Sequence, residues 1–93
     1  MEDIRDAIAL AITEVSADGK GVIIVTDMFG GTPANVSMTF LEPQSVEVLT
    51  GVNLPMLLKF FNSQESLALD ELAAILKSYG QQSIALASEY LNR

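Results

Sequence analysis

The sequence predicts an α/β fold, a parallel sheet flanked by helices, and three observations carry that prediction. The run "GVIIVTD" at 21–27 sets Val22, Ile23, Ile24 and Val25 side by side without alternation, the pattern of a strand buried on both faces. A second candidate strand, "SVEVLT" at 45–50, resembles it in being followed by a glycine and then a helix start. The element order reads helix, strand, helix, strand, helix, helix, as expected for parallel strands joined by helical crossovers.

The first helix rests on Ile4, Ile8, Ile12 and Val15, which recur at helical spacing with Ala7 and Ala11 beside them and charges on the other face. It should stop near "SADGK", where Gly19 suits a left-handed cap. After the first strand, Thr32 and Pro33 read as N-cap and first helical residue of a short helix reaching about Phe40. Pro43 and Gln44 turn the chain into the second strand, which ends at Gly51. Asn53 then caps a helix that carries Pro55 in its first turn. The last periodic stretch runs from Asn62-Ser63 to Leu91, with Asp70 and Glu71 near its positive end. Its expected buried stripe is Leu69, Leu72, Leu76, Tyr79, Ile84, Ala87 and Leu91, with a possible bend at Gly80. Two strands are few for an independent sheet, and a doubly wound domain normally starts with a strand, so the front of such a domain is expected to be missing.

Composition narrows the function. The 93 residues suit one domain over 1–93, and 49% hydrophobic with 18% charged residues is a globular balance. There is no cysteine and no histidine, which removes thiol and imidazole chemistry and thiolate metal sites, so neither a metal nor a cofactor is expected. The net charge is −7, and Arg5, Lys20, Lys59, Lys77 and Arg93 are scattered. No basic face exists to displace counterions from nucleic acid or to meet an anionic membrane. No apolar run approaches a membrane span and the N-terminus does not read as a signal peptide, so a cytoplasmic protein is expected.

The informative stretches are the two loops. In a parallel sheet they lie on the carboxyl edge, where open α/β folds bind ligands. The first turn of each following helix leaves N–H groups unpaired, so the two together form an anion site. Gly30 and Gly31 let the backbone come close, and Thr32 offers a hydroxyl to an incoming oxygen. The same residues also make an economical strand-to-helix turn. Asp27 could orient a histidine and favour its imidazolium form, or cap the next turn through the backbone. A P-loop lysine and a GxGxxG are both absent, which argues against nucleotide binding.

Together "GVIIVTDMFGGTPANVS" and "VEVLTGVNLPMLLK" resemble the mannose-class IIA domain of the bacterial phosphoenolpyruvate-dependent sugar phosphotransferase system. The likeness covers essentially the whole chain, and its core is Asp-x-x-Gly-Gly-[Ser/Thr]-Pro. It implies a flavodoxin-like architecture in which a histidine after the family's first strand takes a phosphoryl group from the phosphocarrier HPr and passes it to a IIB domain. The resemblance gives Asp27 the role of orienting that histidine. It places Phe29, Gly30, Gly31 and Thr32 on one side of the phosphoryl pocket and Gly51, Val52 and Asn53 on the other. It also implies sugar transport, indirect membrane association through a transporter complex, and a homodimer or higher oligomer.

This chain departs from the family in having no histidine, and it begins where the family's helix before the third strand begins. It is therefore expected to be N-terminally truncated. Two accounts stay open: a fragment of a working phosphocarrier, or a short protein acting as a non-catalytic regulatory module that binds HPr or IIB. A small-anion sensor is a weaker third. Either way the "GVIIVTD" strand should show an open edge, prone to pairing with another copy.

Overall fold

The computed structural model describes residues 2–63 and 67–91. Helix α1 (Glu2–Val15) leads through a short 3-10 turn (Ser16–Asp18) to strand β1 (Val22–Thr26). Helix α2 (Thr32–Met38) connects β1 to β2 (Val46–Thr50), and α3 (Leu54–Phe61), α4 (Leu69–Gln82) and α5 (Ala87–Leu91) follow. The expected α/β class and element order are present.

The two strands pair in parallel, from Val22 with Val46 to Thr26 with Thr50. A tight turn sets the second strand's start: the Glu42 and Val46 backbones exchange hydrogen bonds of 3.0 and 2.9 Å, and Gln44 takes a positive φ of 62° to close it. The Val22 N–H then donates to the Ser45 carbonyl at 2.8 Å, which locks the register. On one face, Leu49 joins Met56 of α3 and Leu76 of α4 in a small core, with Ile23, Val52, Phe60 and Leu72 packed around it. Val22, Thr26 and Val46, whose side chains point the other way along the pleat, are buried too, as are Ala34, Val36 and Ser37 of α2, which contacts both strands.

Two expectations need correction. First, β1 is not buried on both faces, because Val25 is 40% exposed. Among the described residues the strand has one neighbour, and the helices leave part of its surface uncovered. Second, the final periodic stretch is not one helix. α4 stops at Gln82, where Ser83 closes it by donating its N–H and its hydroxyl to the Tyr79 carbonyl at 3.1 and 2.8 Å, and α5 starts afresh at Ala87. The stripe is covered only from Leu69 to Leu76, the first two turns of α4: Leu76 is 2% exposed, while Tyr79, Ile84 and Leu91 are 43%, 76% and 83% exposed. The α1 stripe is likewise only partly covered, with Ile8 and Ile12 half-buried and Ile4 and Val15 exposed.

An apolar groove of about 870 Å³ runs between β1, α3 and α4, lined by Ile23, Val25, Leu57, Phe60 and Leu72 among others. The accessible surface, 6703 Å², exceeds the roughly 5,200 Å² expected of a compact 10.0 kDa chain. The radius of gyration, 15.1 Å, exceeds the corresponding value of about 12 Å. With so small a core, each buried side chain matters. Leu76→Ala should cost about 2–5 kcal/mol, read as a fall in the urea midpoint at unchanged slope. A change below about 1 kcal/mol would mean that the Leu49–Met56–Leu76 cluster does not hold the fold.

Candidate functional site

Parallel pairing of adjacent strands brings the two loops together. β1 and β2 end at the same level, Thr26 beside Thr50. One further bond extends the ladder past both ends: the Val52 N–H donates to the Thr26 carbonyl at 3.0 Å. Asp27 and Gly51, the next residues on each chain segment, therefore leave the sheet side by side. The Thr26 hydroxyl donates back to the Met28 carbonyl at 3.4 Å and so turns the first loop at its root.

In that first loop Asp27, Gly30 and Thr32 are exposed, and Phe29 is 70% exposed. The two glycines differ. Gly30 has φ +91°, a left-handed conformation that a side chain would strain. Gly31 has φ −82° and ψ 169°, and a Cβ there would meet nothing closer than Pro33 Cδ at 3.7 Å. The fold itself does not require a glycine at 31. Thr32 is not the N-cap expected of it. Gly31 holds that position without a side-chain hydrogen bond, and Thr32 is the first helical residue with Pro33 next. The loop is tied to α2 instead through Asn35, whose N–H donates to the Gly31 carbonyl at 2.9 Å and whose side-chain amide reaches the Gly30 carbonyl at 3.4 Å.

The second loop is held more firmly. Gly51 turns it with φ +78°. Asn53 is the N-cap of α3 as expected: its Oδ1 accepts from the Met56 N–H at 3.1 Å. Its Nδ2 donates to the Gly80 carbonyl at 3.0 Å, which ties the loop to the end of α4. A cleft of about 340 Å³ opens beside it, bounded by Gly51, Asn53, Lys77, Gly80 and Gln81. Asp27 to Thr32 line neither this cleft nor the apolar groove. The structure thus joins the two loops at their roots, while the cleft belongs to the second loop alone.

Sequence reasoning missed the part played by Gly80. The available signal was a glycine in a helix interior, where it costs about 1 kcal/mol relative to alanine and so calls for a packing reason.

Comparison with known proteins identifies this arrangement. Residues 1–77 match the family model EIIA-man, described as the PTS system fructose IIA component. The chain belongs to this family. It is 42% identical over 73 residues to the PTS system fructose-specific EIIA component of Bacillus subtilis (strain 168), an alignment covering 77% of this chain and 50% of that protein. It is 33% identical over 67 residues to the PTS system mannose-specific EIIAB component of Escherichia coli (strain K12), covering 70% of this chain and 21% of the relative. The chain thus spans half or less of the length of these curated relatives.

Among solved structures, phosphotransferase system component EIIA from Streptococcus agalactiae superposes with a TM-score of 0.75 at 28% identity, over 95% of this chain and 68% of that one. The mannose/sorbose-specific IIA subunit from Enterococcus faecalis gives 0.63 at 32% identity, over 81% and 61%. The mannose-class IIA fold inferred from the two loop motifs is therefore the fold of this chain. Among the described residues no helix is long and apolar enough to cross a membrane.

The two loops should respond differently to substitution. Asn53→Ala removes a cap and leaves the Gly80 carbonyl without its side-chain donor, so it should cost about 1–2 kcal/mol in chemical unfolding. Thr32→Ala should stay within about 0.5 kcal/mol of the parent, because no capping bond is lost. Equal costs would show that Thr32 caps α2 in solution.

Proposed function

We propose that this chain carries one wall of the phosphoryl pocket of a mannose/fructose-class IIA phosphocarrier, with the acceptor histidine supplied from outside these 93 residues. The observation that supports it best is the adjacency of the two loops at the carboxyl edge of the parallel pair, anchored by the Val52 N–H to Thr26 carbonyl bond. The exposed Asp27 carboxylate accepts a hydrogen bond from one ring N–H of the incoming imidazole and holds its tautomer. The other ring nitrogen then forms its bond to phosphorus as the bond from phosphorus to the donor, HPr, breaks. The group passes on to IIB by the same exchange in the next step. Phe29, Gly30, Gly31 and Thr32 flank the phosphoryl group on one side, and Gly51, Val52 and Asn53 on the other. Backbone N–H groups and the Thr32 hydroxyl stabilise its charge, so neither metal nor cofactor takes part. A glycine at 31, where the fold would accept a Cβ, keeps that approach open.

The reading also places the protein in the cytoplasm, tied indirectly to the membrane through its transporter partners. It further implies self-association. Among the described residues β1 is paired on one side only, its edge carries no proline, and the excess surface noted above, about 1,500 Å², is ample for the roughly 800 Å² per partner that a stable interface covers. Sedimentation should show species heavier than 10.0 kDa at high micromolar concentration. A well-folded monomer there would argue against it.

Radiolabelled phosphoenolpyruvate with the general enzymes of the system tests the transfer. The 93-residue chain should take no stable label, and the chain joined to a family member's histidine-bearing N-terminal segment should take it. In that joined protein Asp27→Asn should slow labelling by about tenfold or more. Gly31→Ala should impair labelling while leaving stability unchanged or up to about 1 kcal/mol higher. Label on the 93-residue chain itself, or full labelling of both variants, would overturn the proposal. A non-catalytic module would instead bind HPr or IIB by titration while the joined protein stayed unlabelled.

A further inference from the structure

Asn53 occupies an unusual position between two helix ends of opposite polarity. Its Oδ1 takes an N–H from the first turn of α3, and its Nδ2 gives a hydrogen bond to a carbonyl in the last turn of α4, 27 residues away in sequence. That carbonyl belongs to Gly80. Because α4 ends at Gln82, the residue four positions on does not claim it: the Ile84 N–H goes to Gln81, and the Gly80 carbonyl takes a long 3.3 Å bond from the Ser83 N–H and keeps room for the Asn53 amide. Had α4 continued unbroken toward Leu91, the Gly80 oxygen would have been used by the N–H of Ile84 four residues on.

Gly80 is also the contact that sets how closely α4 approaches. It is buried, and its backbone is helical rather than left-handed, so no conformational demand explains it. A Cβ built on it would lie 2.7 Å from Met56 Cε and 3.3 Å from Asn53 Oδ1. The first distance cannot be tolerated without movement, and the second would press on the oxygen that caps α3.

We infer that Gly80 is a positioning residue for the Gly51–Asn53 loop: its missing side chain and its carbonyl at the helix end together hold Asn53, and through Asn53 the second wall of the pocket. The functional consequence rests on the phosphoryl-pocket reading above; the positioning itself does not. Although Gly80 lies 27 residues beyond Asn53, it sets the geometry of a site whose motif residues all fall between 27 and 53.

The test is ¹H–¹⁵N NMR of the 93-residue chain with Gly80→Ala, Met56→Leu and the two combined. In Gly80→Ala the amide signals of Gly51, Val52 and Asn53 and the Asn53 side-chain amide should shift. Hydrogen exchange at the Met56 amide should speed up by about fivefold, as expected for a lost cap. The Gly30 and Gly31 signals should stay in place. The combined variant, lacking the methionine methyl that the new Cβ strikes but keeping the 3.3 Å contact with Asn53 Oδ1, should still show the loop signals displaced from those of Met56→Leu alone. Unchanged loop signals, shifts spread equally into the first loop, or complete recovery in the combined variant would each overturn the inference.

If Gly80→Ala fails to fold, Asn53→Asp gives the answer. Aspartate still caps α3 but has no N–H to give to Gly80, so the Gly51 and Val52 signals should move while the Met56 amide stays protected. No movement would overturn the inference. Because no readout requires bound phosphate, a positive result stands even if the phosphoryl-pocket assignment fails.

Discussion

Everything at the candidate site depends on the parallel register of β1 and β2. Parallel strands need a crossover, and α2 supplies it within a short span, so the chain must leave β1, turn into a helix and return to the same edge. The Glu42–Val46 turn and the Val22–Ser45 bond set where the return strand begins, and the Val52–Thr26 bond sets where it ends. A slip by one residue would exchange the faces, sending Leu49 away from α3 and α4 and separating Asp27 from Gly51. Core and site are thus fixed by one alignment.

The same alignment explains why the two loops differ in rigidity. The second is stitched to both helices on the core face, since Asn53 closes one helix start and one helix end at once. The first is held at its root by Thr26 and at its far end by Asn35, and its tip, with Met28 and Phe29, stands in solvent. A site made from one firm wall and one projecting loop can present the loop to a protein partner while the wall keeps its geometry.

The exposed apolar surface belongs to the same picture. Ile23 and Leu49 share a face, but only α3 and α4 cover it, and Val25 remains open at the free edge of β1. Across the sheet, α1 is attached mainly to α2, where Arg5 donates to the Thr39 hydroxyl at 2.8 Å and lies 5.1 Å from the centre of the Phe40 ring. These are peripheral contacts for a helix of 14 residues, and they leave much of its apolar stripe unused.

By itself the sequence determined the local elements: the β-branched run at 22–25, the left-handed Gly19, the cap at Asn53 and the proline in the first turn of both α2 and α3 are signals set by neighbouring residues. The loop motifs, being short and ordered along the chain, were equally legible, and they carried the family with them. What the tertiary structure alone decided are matters of distance between remote residues. Periodicity through Leu91 looked like one helix because apolar spacing reports a face and not whether anything covers it; among the described residues no element covers that face beyond Gly80, and the helix ends. Thr32 looked like a cap because its residue type favours that role, but the turn through Gly30 sets Gly31 in the capping position. Gly80 looked like a weak point in a helix because a glycine in sequence shows only what it lacks. Its use appears when Met56 and Asn53 are brought against it by the packing of α4 on α3, a contact no local pattern encodes.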